Sequence, residues 1–302
     1  MKILAAIVTF NRCELLARCV DHVCSQLRPP DAIIVINNGS TDSTLDMLAA
    51  KGIEYITQEN VGSAGGWYRA IKQAFDGGFD AVWLMDDDGF PATGALACLE
   101  QALEPGVACA SSIVVQEDRP DHFVFSFPIL DKTRLPVIFR NPRKVATVDD
   151  LLALSPSGTY PFTHLFNGAL VSVLAAEQAG NVNRDFFIYG DEVDYFFRLR
   201  NVGKVFSVLA AQHFHPDVSQ RPYSPIKVYY YIKNTLILNK RYFNLVSIRN
   251  GLTVVVALVR IAQRNGLSDA LSYVFGSRAS FFYRAIIRGL QGRIGKDFDA
   301  KL

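Results

Sequence analysis

The chain has 302 residues, half of them hydrophobic and a fifth charged, which is enough for one large domain or two smaller ones around a substantial core. Abundant apolar residues with ordinary glycine and cysteine levels exclude a disordered chain, a collagen-like repeat and a disulfide scaffold. The formal net charge is only +2, yet residues 1–226 hold 18 Lys and Arg against 26 Asp and Glu, and residues 227–302 hold 13 against 3. An acidic body with a basic tail suits anionic lipid, nucleic acid or phosphorylated acceptors.

Five cysteines, Cys13, Cys19, Cys24, Cys98 and Cys109, contain no C-x-x-C pair and read as reduced core thiols of a cytosolic protein. The apolar N-terminus is interrupted at Asn11-Arg12 before it could form a signal peptide, and reads as a buried strand. Leu252 to Val259, bracketed by Arg249 and Arg260, falls short of the roughly 18 apolar residues of a spanning helix, so no membrane crossing is expected.

From residue 2 to 115, short β-rich runs alternate with amphipathic stretches, the pattern of βαβ units around a parallel sheet. Strands are predicted at Lys2 to Val8, Ala32 to Asn37, Ile53 to Thr57, Ala81 to Met85 and Val107 to Val115. Helices are predicted near Glu14 to Gln26, Ser43 to Ala50, Ala64 to Phe75 and Thr93 to Leu103. Residues 117–160 predict an irregular connection or a small antiparallel excursion. Order returns over Phe166 to Ala179, followed by a charged helix at Asp191 to Asn201, a strand at Lys204 to Val208 and three helical patterns from Pro225 onward. The implied organisation is a catalytic domain over 1–225 and a basic helical region over 226–302.

In an open parallel sheet, ligands gather beyond the carboxyl ends of the strands. Here those ends carry Thr9-Phe10-Asn11-Arg12, Asn37-Asn38-Gly39-Ser40-Thr41-Asp42, Glu59 to Trp67 and Asp86-Asp87-Asp88. Three consecutive carboxylates repel one another unless a cation lies among them, and Mg²⁺ or Mn²⁺ held by Asp and phosphate oxygens is the economical answer. If the strand geometry continues, Asp86 and Asp88 point to the same side. The chain has no G-x-G-x-x-G after its first strand and no G-x-x-x-x-G-K-[ST], which sets aside dinucleotide-dependent dehydrogenases and P-loop enzymes. Farther on, Gly190 leads into Asp191-Glu192-Val193-Asp194, where a carboxylate among other acids has the raised pKa of a general base. Either His213 or His215 could add a neutral imidazole to the metal.

Taken in order, Thr9 to Arg12, Asn38 to Asp42, Met85 to Asp88 and Gly190 to Asp194 resemble the inverting nucleotide-sugar glycosyltransferases of family 2, which have the GT-A fold. Glu59 to Trp67 and Tyr229 to Asn234 are similar to the bacterial galactofuranosyl- and rhamnosyltransferases of surface polysaccharides. The resemblance implies a Rossmann-like, mostly parallel α/β sheet with a C-terminal helical region. It implies that Thr9, Arg12 and Asn38 hold the base and ribose, with Gly65, Gly66, Trp67 and Asp87 also lining the donor site. Asp86 would touch the ribose or the metal, Asp88 would bind the Mn²⁺ or Mg²⁺, and His213 would be the later metal ligand. Glu192, or else Asp191, would be the base. Many relatives have Asp where this chain has Asn37-Asn38, so amides would read the base here.

The expected partners are a UDP- or dTDP-sugar, a glycan or polyprenyl-diphosphate-linked acceptor and an anionic membrane surface, with no nucleic acid. Galactofuranose is favoured over dTDP-rhamnose. The other readings are a sugar-nucleotide pyrophosphorylase, which wants a glycine- and lysine-rich loop that Thr9 to Arg12 does not supply, and a non-catalytic binding module. In Ser280 to Lys296, Phe281, Phe282, Ile286, Ile287, Leu290 and Ile294 can share a helical face that docks on a membrane or packs on the domain. The expected location is cytoplasmic, peripheral on the inner leaflet.

Overall fold

Uninterrupted apolar runs make strands that are buried on both faces, and the N-terminal half of the chain is built from them. The computed structural model describes residues 1–219 and 221–298. Its elements begin with β1 (Ile3–Thr9), α1 (Cys13–Cys24), β2 (Ala32–Asn37), α2 (Thr44–Lys51), β3 (Glu54–Thr57) and α3 (Gly62–Asp76). There follow β4 (Ala81–Asp86), β5 (Phe90–Pro91), α4 (Ala95–Ala102), β6 (Val107–Gln116), β7 (His122–Pro128), β8 (Lys144–Thr147), α5 (Val148–Leu154) and β9 (Thr159–Tyr160). The chain continues through β10 (Asn167–Ser172), α6 (Val173–Ala179), α7 (Asp191–Val202) and β11 (Lys204–His215), then α8 (Pro225–Tyr242), α9 (Val246–Asn265), α10 (Leu267–Phe275) and α11 (Ala279–Leu290).

The sheet runs β3-β2-β1-β4-β10-β6-β11-β5. β1 pairs in parallel with β2 and β4, β2 with β3, and β6 with β11. Thr9 is level with Asn37, and Val8 with Asp86, so the polar ends of three strands meet at one edge of the sheet. β10 is antiparallel and lies between β4 and β6, an insertion that the alternating pattern does not show. The 117–160 region is an antiparallel excursion in which β7 pairs with β6 and β8. The helices pack by their apolar spacing: α1 buries Leu16, Cys19, Val20 and Val23, at the i, i+3, i+4, i+7 positions of one face.

By internal contacts the chain divides into two units. The first comprises Met1–Val61, Gly66–Val182 and Tyr195–Asp217; the second comprises Gly62–Gly65, Asn183–Asp194 and the chain from Val218 onward. The sequence reading divides the chain once, at 225/226, whereas the observed second unit also takes two short internal segments. Its core is Tyr229, Tyr230, Ile232 and Leu236 of α8 with Ala257, Ile261, Tyr273, Phe282 and Ala285. Within it, Lys233 Nζ is buried and bonds Asp297 Oδ2 at 2.6 Å and the Gly295 carbonyl at 2.7 Å, and Asp297 also pairs with Arg288.

Three expectations are corrected. α9 is long and apolar enough to cross a membrane by length and composition, with only 17% of its apolar window buried, where the sequence predicts a stretch too short to span. α11 buries Phe282 and Ala285 but leaves Ile287 and Leu290 each 54% exposed, and it ends before Ile294, so the expected single face is split. Of the cysteines, Cys19 and Cys109 are buried, Cys13 and Cys98 are partly buried and Cys24 is exposed.

Candidate active site

At the sheet edge of the first unit, Thr9 and Asn38 are buried. The Asn38 amide N–H donates to the Thr9 carbonyl at 3.0 Å, and Asn38 Oδ1 accepts from Gln58 Nε2 at 2.8 Å. Asn37 Oδ1 accepts from the Ser40 N–H at 2.9 Å, so the two amides shape the loop. Gly66 packs against this corner, where a Cβ would come 2.6 Å from Val8 Cγ1 and 3.2 Å from Asn38 Nδ2.

The carboxylates after β4 divide their work. Asp87 accepts from Thr9 Oγ1 at 2.7 Å and from Arg12 Nη1 at 2.8 Å, and the same Arg12 nitrogen lies 2.8 Å from Asp88 Oδ2. Burial pushes the Asp87 carboxyl up, opposed by Arg12 and the Thr9 hydrogen bond. Burial works against the Arg12 charge, but Asp87 and Asp88 outweigh it and raise the pKa. Arg12 therefore relieves part of the repulsion for which the sequence reading invoked a metal.

The other Asp88 oxygen, Oδ1, lies 3.0 Å from His215 Nε2, and His215 Nδ1 lies 2.7 Å from the Pro216 carbonyl. A carbonyl only accepts, so Nδ1 carries a hydrogen. In a neutral ring this leaves the Nε2 lone pair facing a carboxylate. A backbone carbonyl that fixes one nitrogen so the other can ligate is the usual outer partner of a metal-binding histidine. Asp88 and His215 thus have the chemistry to hold a divalent cation, to which phosphate oxygens of a nucleotide would add further donors. Among the described residues no group of three or more His, Cys, Asp and Glu converges, so the phosphates would be needed to complete the site.

His213 lies two residues earlier on β11, close enough to feel His215 and Asp88 electrostatically. It is fully buried and neither ring nitrogen has a hydrogen-bond partner. A Cβ on Gly89 would fall 2.3 Å from His213 Nε2, and one on Gly168 would fall 3.1 Å from Nδ1. The ring is boxed between two glycines, and burial first, then His215, lower its pKa to about 3. Trp67 is a core residue, stacked on Phe166 with centroids 4.4 Å apart.

In the second unit, Asp191 is buried and Glu192 partly buried in the first turn of α7. Burial first, then Glu192, raise the Asp191 pKa to about 7. Asp194 Oδ1 accepts from Tyr242 Oη at 2.8 Å and from Arg241 Nη1 at 3.2 Å. The segment ahead of the acids is unusual: Phe187 and Tyr189 have φ of 65° and 57°, and Gly190 has φ 93°. Asn234 Nδ2 donates to the carbonyls of Phe186, Ile188 and Tyr189 at 3.0, 2.9 and 2.7 Å. A Cβ at Gly190 would stand 3.0 Å from Asn234 Cβ, so glycine meets both the dihedral and the packing there. The sequence reading quotes Asn234 within its Tyr229 to Asn234 motif but assigns it no role. Gly65 also falls in this unit.

The profile of glycosyl transferase family 2 matches residues 5–142. Galactofuranosyltransferase GlfT1 of Mycolicibacterium smegmatis is 32% identical over 219 residues, covering 70% of this chain and 70% of that protein. GlfT1 of Mycobacterium tuberculosis is 32% identical over 225 residues, covering 71% and 70%. Among solved structures, the mannosyltransferase PcManGT from Pyrobaculum calidifontis, in complex with GDP-Man and Mn²⁺, has a TM-score of 0.57 at 13% identity over 96% of this chain and 87% of that one. GalNAc-T7 with UDP, GalNAc and Mn²⁺ has a TM-score of 0.60 at 13% identity, covering 94% and 56%. The fold of these structures, the family profile and the similarity to the two GlfT1 proteins agree: this chain is a glycosyltransferase of family 2 with the GT-A fold.

Proposed function

We propose that the chain transfers galactofuranose from UDP-galactofuranose to a glycan or polyprenyl-diphosphate-linked acceptor, with inversion at the anomeric carbon. The observation that carries the donor half of this reading is the Asp88–His215 pair with its fixed tautomer. The choice of sugar rests on the 32% identity to two proteins named galactofuranosyltransferase.

In this reading, Asp88 and His215 hold Mn²⁺ or Mg²⁺ with the donor phosphates, and Asp86 stands beside them on the ribose. When bound, the cation supplies positive charge against the departing nucleoside diphosphate. Arg12 moves part of its charge from Asp88 to the donor, while Asp87 and Thr9 keep its stem in place. Thr9 and Asn38 orient the base and ribose, and positioning lowers the barrier further. Glu192 takes the proton from the acceptor hydroxyl. Asp191, buried beside it, holds its own proton into the neutral range and limits the charge that the pair must bear.

The reading extends to location. On α9, Val255 and Val259 are 56% and 48% exposed; on α10, Leu271 and Phe275 are 50% and 84% exposed. With 13 Lys and Arg against 3 Asp and Glu over residues 227–302, these faces suit the inner, anionic leaflet, where each basic residue near the surface contributes about 1 kcal/mol. Vesicle co-sedimentation that rises with anionic lipid and falls with salt is the expected result; equal binding to neutral vesicles would contradict it. Transfer itself is tested by incubating UDP-galactofuranose with acceptor and Mn²⁺. Loss of product in EDTA and in Asp88→Ala supports the reading, and full activity in either contradicts it.

A further inference from the structure

Beyond α11 the chain turns back through Gly292 and Gly295, whose φ of 72° and 115° only glycine adopts without strain, and residues 291–298 lie as a strap against α8. Asp297 anchors that strap. Residues 227–302 hold 13 basic side chains and only three acids, and this acid is placed in the interior, its side chain 1% exposed beside a Lys233 that is 0% exposed. Asp297 Oδ2 accepts from Lys233 Nζ at 2.6 Å and from Tyr229 Oη at 3.0 Å, and Oδ1 pairs with Arg288. Its N–H donates to Tyr230 Oη at 2.7 Å. Phe298 closes the end of the strap, packing 4.8 Å from the Tyr229 centroid and 4.7 Å from that of Phe281.

The same strap clasps the turn that runs into α7. The Gly295 N–H donates to the Asp185 carbonyl at 2.9 Å, and the Lys296 ammonium lies 5.5 Å from the Phe187 ring centroid. That ring packs 5.1 Å from Tyr230, the tyrosine that holds Asp297. Lys233 joins the anchor to the clasp, because its other bond, 2.7 Å long, goes to the carbonyl of Gly295 itself. The clasped turn needs external support: Phe187 and Tyr189 have positive φ, which persists in such residues only where the surroundings impose it. Asn234 holds it from α8 and the Ala64 N–H holds the Phe187 carbonyl at 3.2 Å; the strap adds a third hold. A buried ion pair gives little stability that apolar packing would not. What Lys233 and Asp297 supply is direction, since hydrogen bonds fix where Gly295 stands and apolar contacts would not.

We propose that residues 291–298 are a positioning strap for the transfer reaction: Lys233 and Asp297 lock Gly295 against Asp185, and this holds the turn over 185–190 in the conformation that aims Glu192 at the acceptor hydroxyl. The proposal rests on the role given to Glu192 above. It makes Lys233 and Asp297 positioning residues that act through the turn.

The test uses the full chain carrying Lys233→Met/Asp297→Leu, which replaces the pair by apolar side chains, an exchange that buried ion pairs commonly tolerate. Asp297→Asn, which keeps the shape and removes the charge, serves if the double variant fails to fold. Transfer from UDP-galactofuranose to a prenyl-diphosphate-linked sugar is measured with Mn²⁺, alongside amide hydrogen exchange read by mass spectrometry. In the folded variant kcat is expected to fall tenfold or more, while donor KM stays within threefold; a misplaced catalytic group costs this much without loss of binding. Exchange over 185–190 is expected to rise tenfold or more, with that of α9 unchanged. In a Glu192→Gln background the same substitutions are expected to cost less than a further twofold, because an effect that runs through the base cannot be lost twice. Wild-type kcat or unchanged exchange over 185–190 in a folded variant overturns the proposal. A further tenfold loss in the Glu192→Gln background also overturns it, since that outcome assigns the strap to general stability. Wild-type turnover in Glu192→Gln alone overturns the base assignment of the transfer reading, and exchange over 185–190 then still decides whether the strap holds the turn.

Discussion

His215 Nε2 lies 3.0 Å from Asp88 Oδ1, while His213, two residues earlier on the same strand, has no hydrogen-bond partner at either ring nitrogen. The two histidines should therefore fail differently. His215→Ala is expected to weaken Mn²⁺-dependent UDP binding by tenfold or more, within the range for loss of a metal ligand or its support. His213→Ala should leave a cavity between Gly89 and Gly168 and lower the melting temperature, with the Mn²⁺ dependence preserved. Calorimetric titration of UDP with and without Mn²⁺ checks both; reversed behaviour would show that the metal assignment belongs to His213.

Arg12 bridges Asp87 and Asp88, and Asp87 is nearly buried while the Arg12 side chain is 39% exposed. Removing Arg12 leaves the Asp87 carboxylate with the Thr9 and Phe10 donors only. Arg12→Ala should cost about 1–3 kcal/mol, below the value for breaking a fully buried pair because solvent screens the guanidinium. Urea unfolding of the two proteins measures this. Arg12→Ala/Asp87→Asn should recover part of the loss, and no recovery would mean that the ion pair is not its source.

Asp191 has a pKa raised from 3.8 to about 7 by burial and by Glu192, with Asp194 adding to the rise; Asp194 is itself held by Arg241 and Tyr242. The folded chain binds this proton more tightly than the unfolded chain. Between about pH 4 and pH 7 the native state thus carries more of it, and unfolding free energy falls as pH rises through that window. Asp191→Asn removes the dependence. The stability of wild type relative to Asp191→Asn should decline from pH 4 to 7 and level off above; a constant difference across the window would contradict the buried, proton-holding state.

Asn234 ties the Phe186, Ile188 and Tyr189 carbonyls to α8 with one amide nitrogen. Asn234→Ala removes this donor from the Ile188 and Tyr189 carbonyls, the Phe186 carbonyl keeping the Ile188 N–H, a cost of about 1–3 kcal/mol, and frees the turn that presents Asp191 and Glu192. The expected signature is a fall in kcat of tenfold or more with donor KM changed by less than a few fold. A rise in donor KM with kcat retained would place Asn234 in donor binding instead.

How far the sequence speaks depends on whether the signal is local. β1, β2 and β4 are apolar runs bounded by polar turns, and the register that sets Thr9 beside Asn37 follows from parallel pairing, so the donor edge was legible from residue order. β10 was not, because an antiparallel strand inserted between β4 and β6 has the same local composition as a parallel one. The choice between His213 and His215 depends on packing. Both fall on one side of β11 by alternation, and only the glycines at 89 and 168 and the carbonyl of Pro216 tell them apart. Arg12 as the partner of Asp87 and Asp88 joins residues about 75 positions apart, and no periodicity encodes it.

The central claim is an inverting transfer of galactofuranose, and one product analysis tests it most directly. UDP-galactofuranose and dTDP-rhamnose are each incubated with Mn²⁺ and a prenyl-diphosphate-linked acceptor, using wild type and Glu192→Gln, and the product's anomeric configuration is read by NMR. The account requires a galactofuranosyl product of inverted configuration from wild type, with turnover lowered roughly 10²- to 10⁴-fold in Glu192→Gln as expected for loss of a general base. A rhamnosyl product with none from UDP-galactofuranose, or a product that retains the donor's configuration, would contradict it.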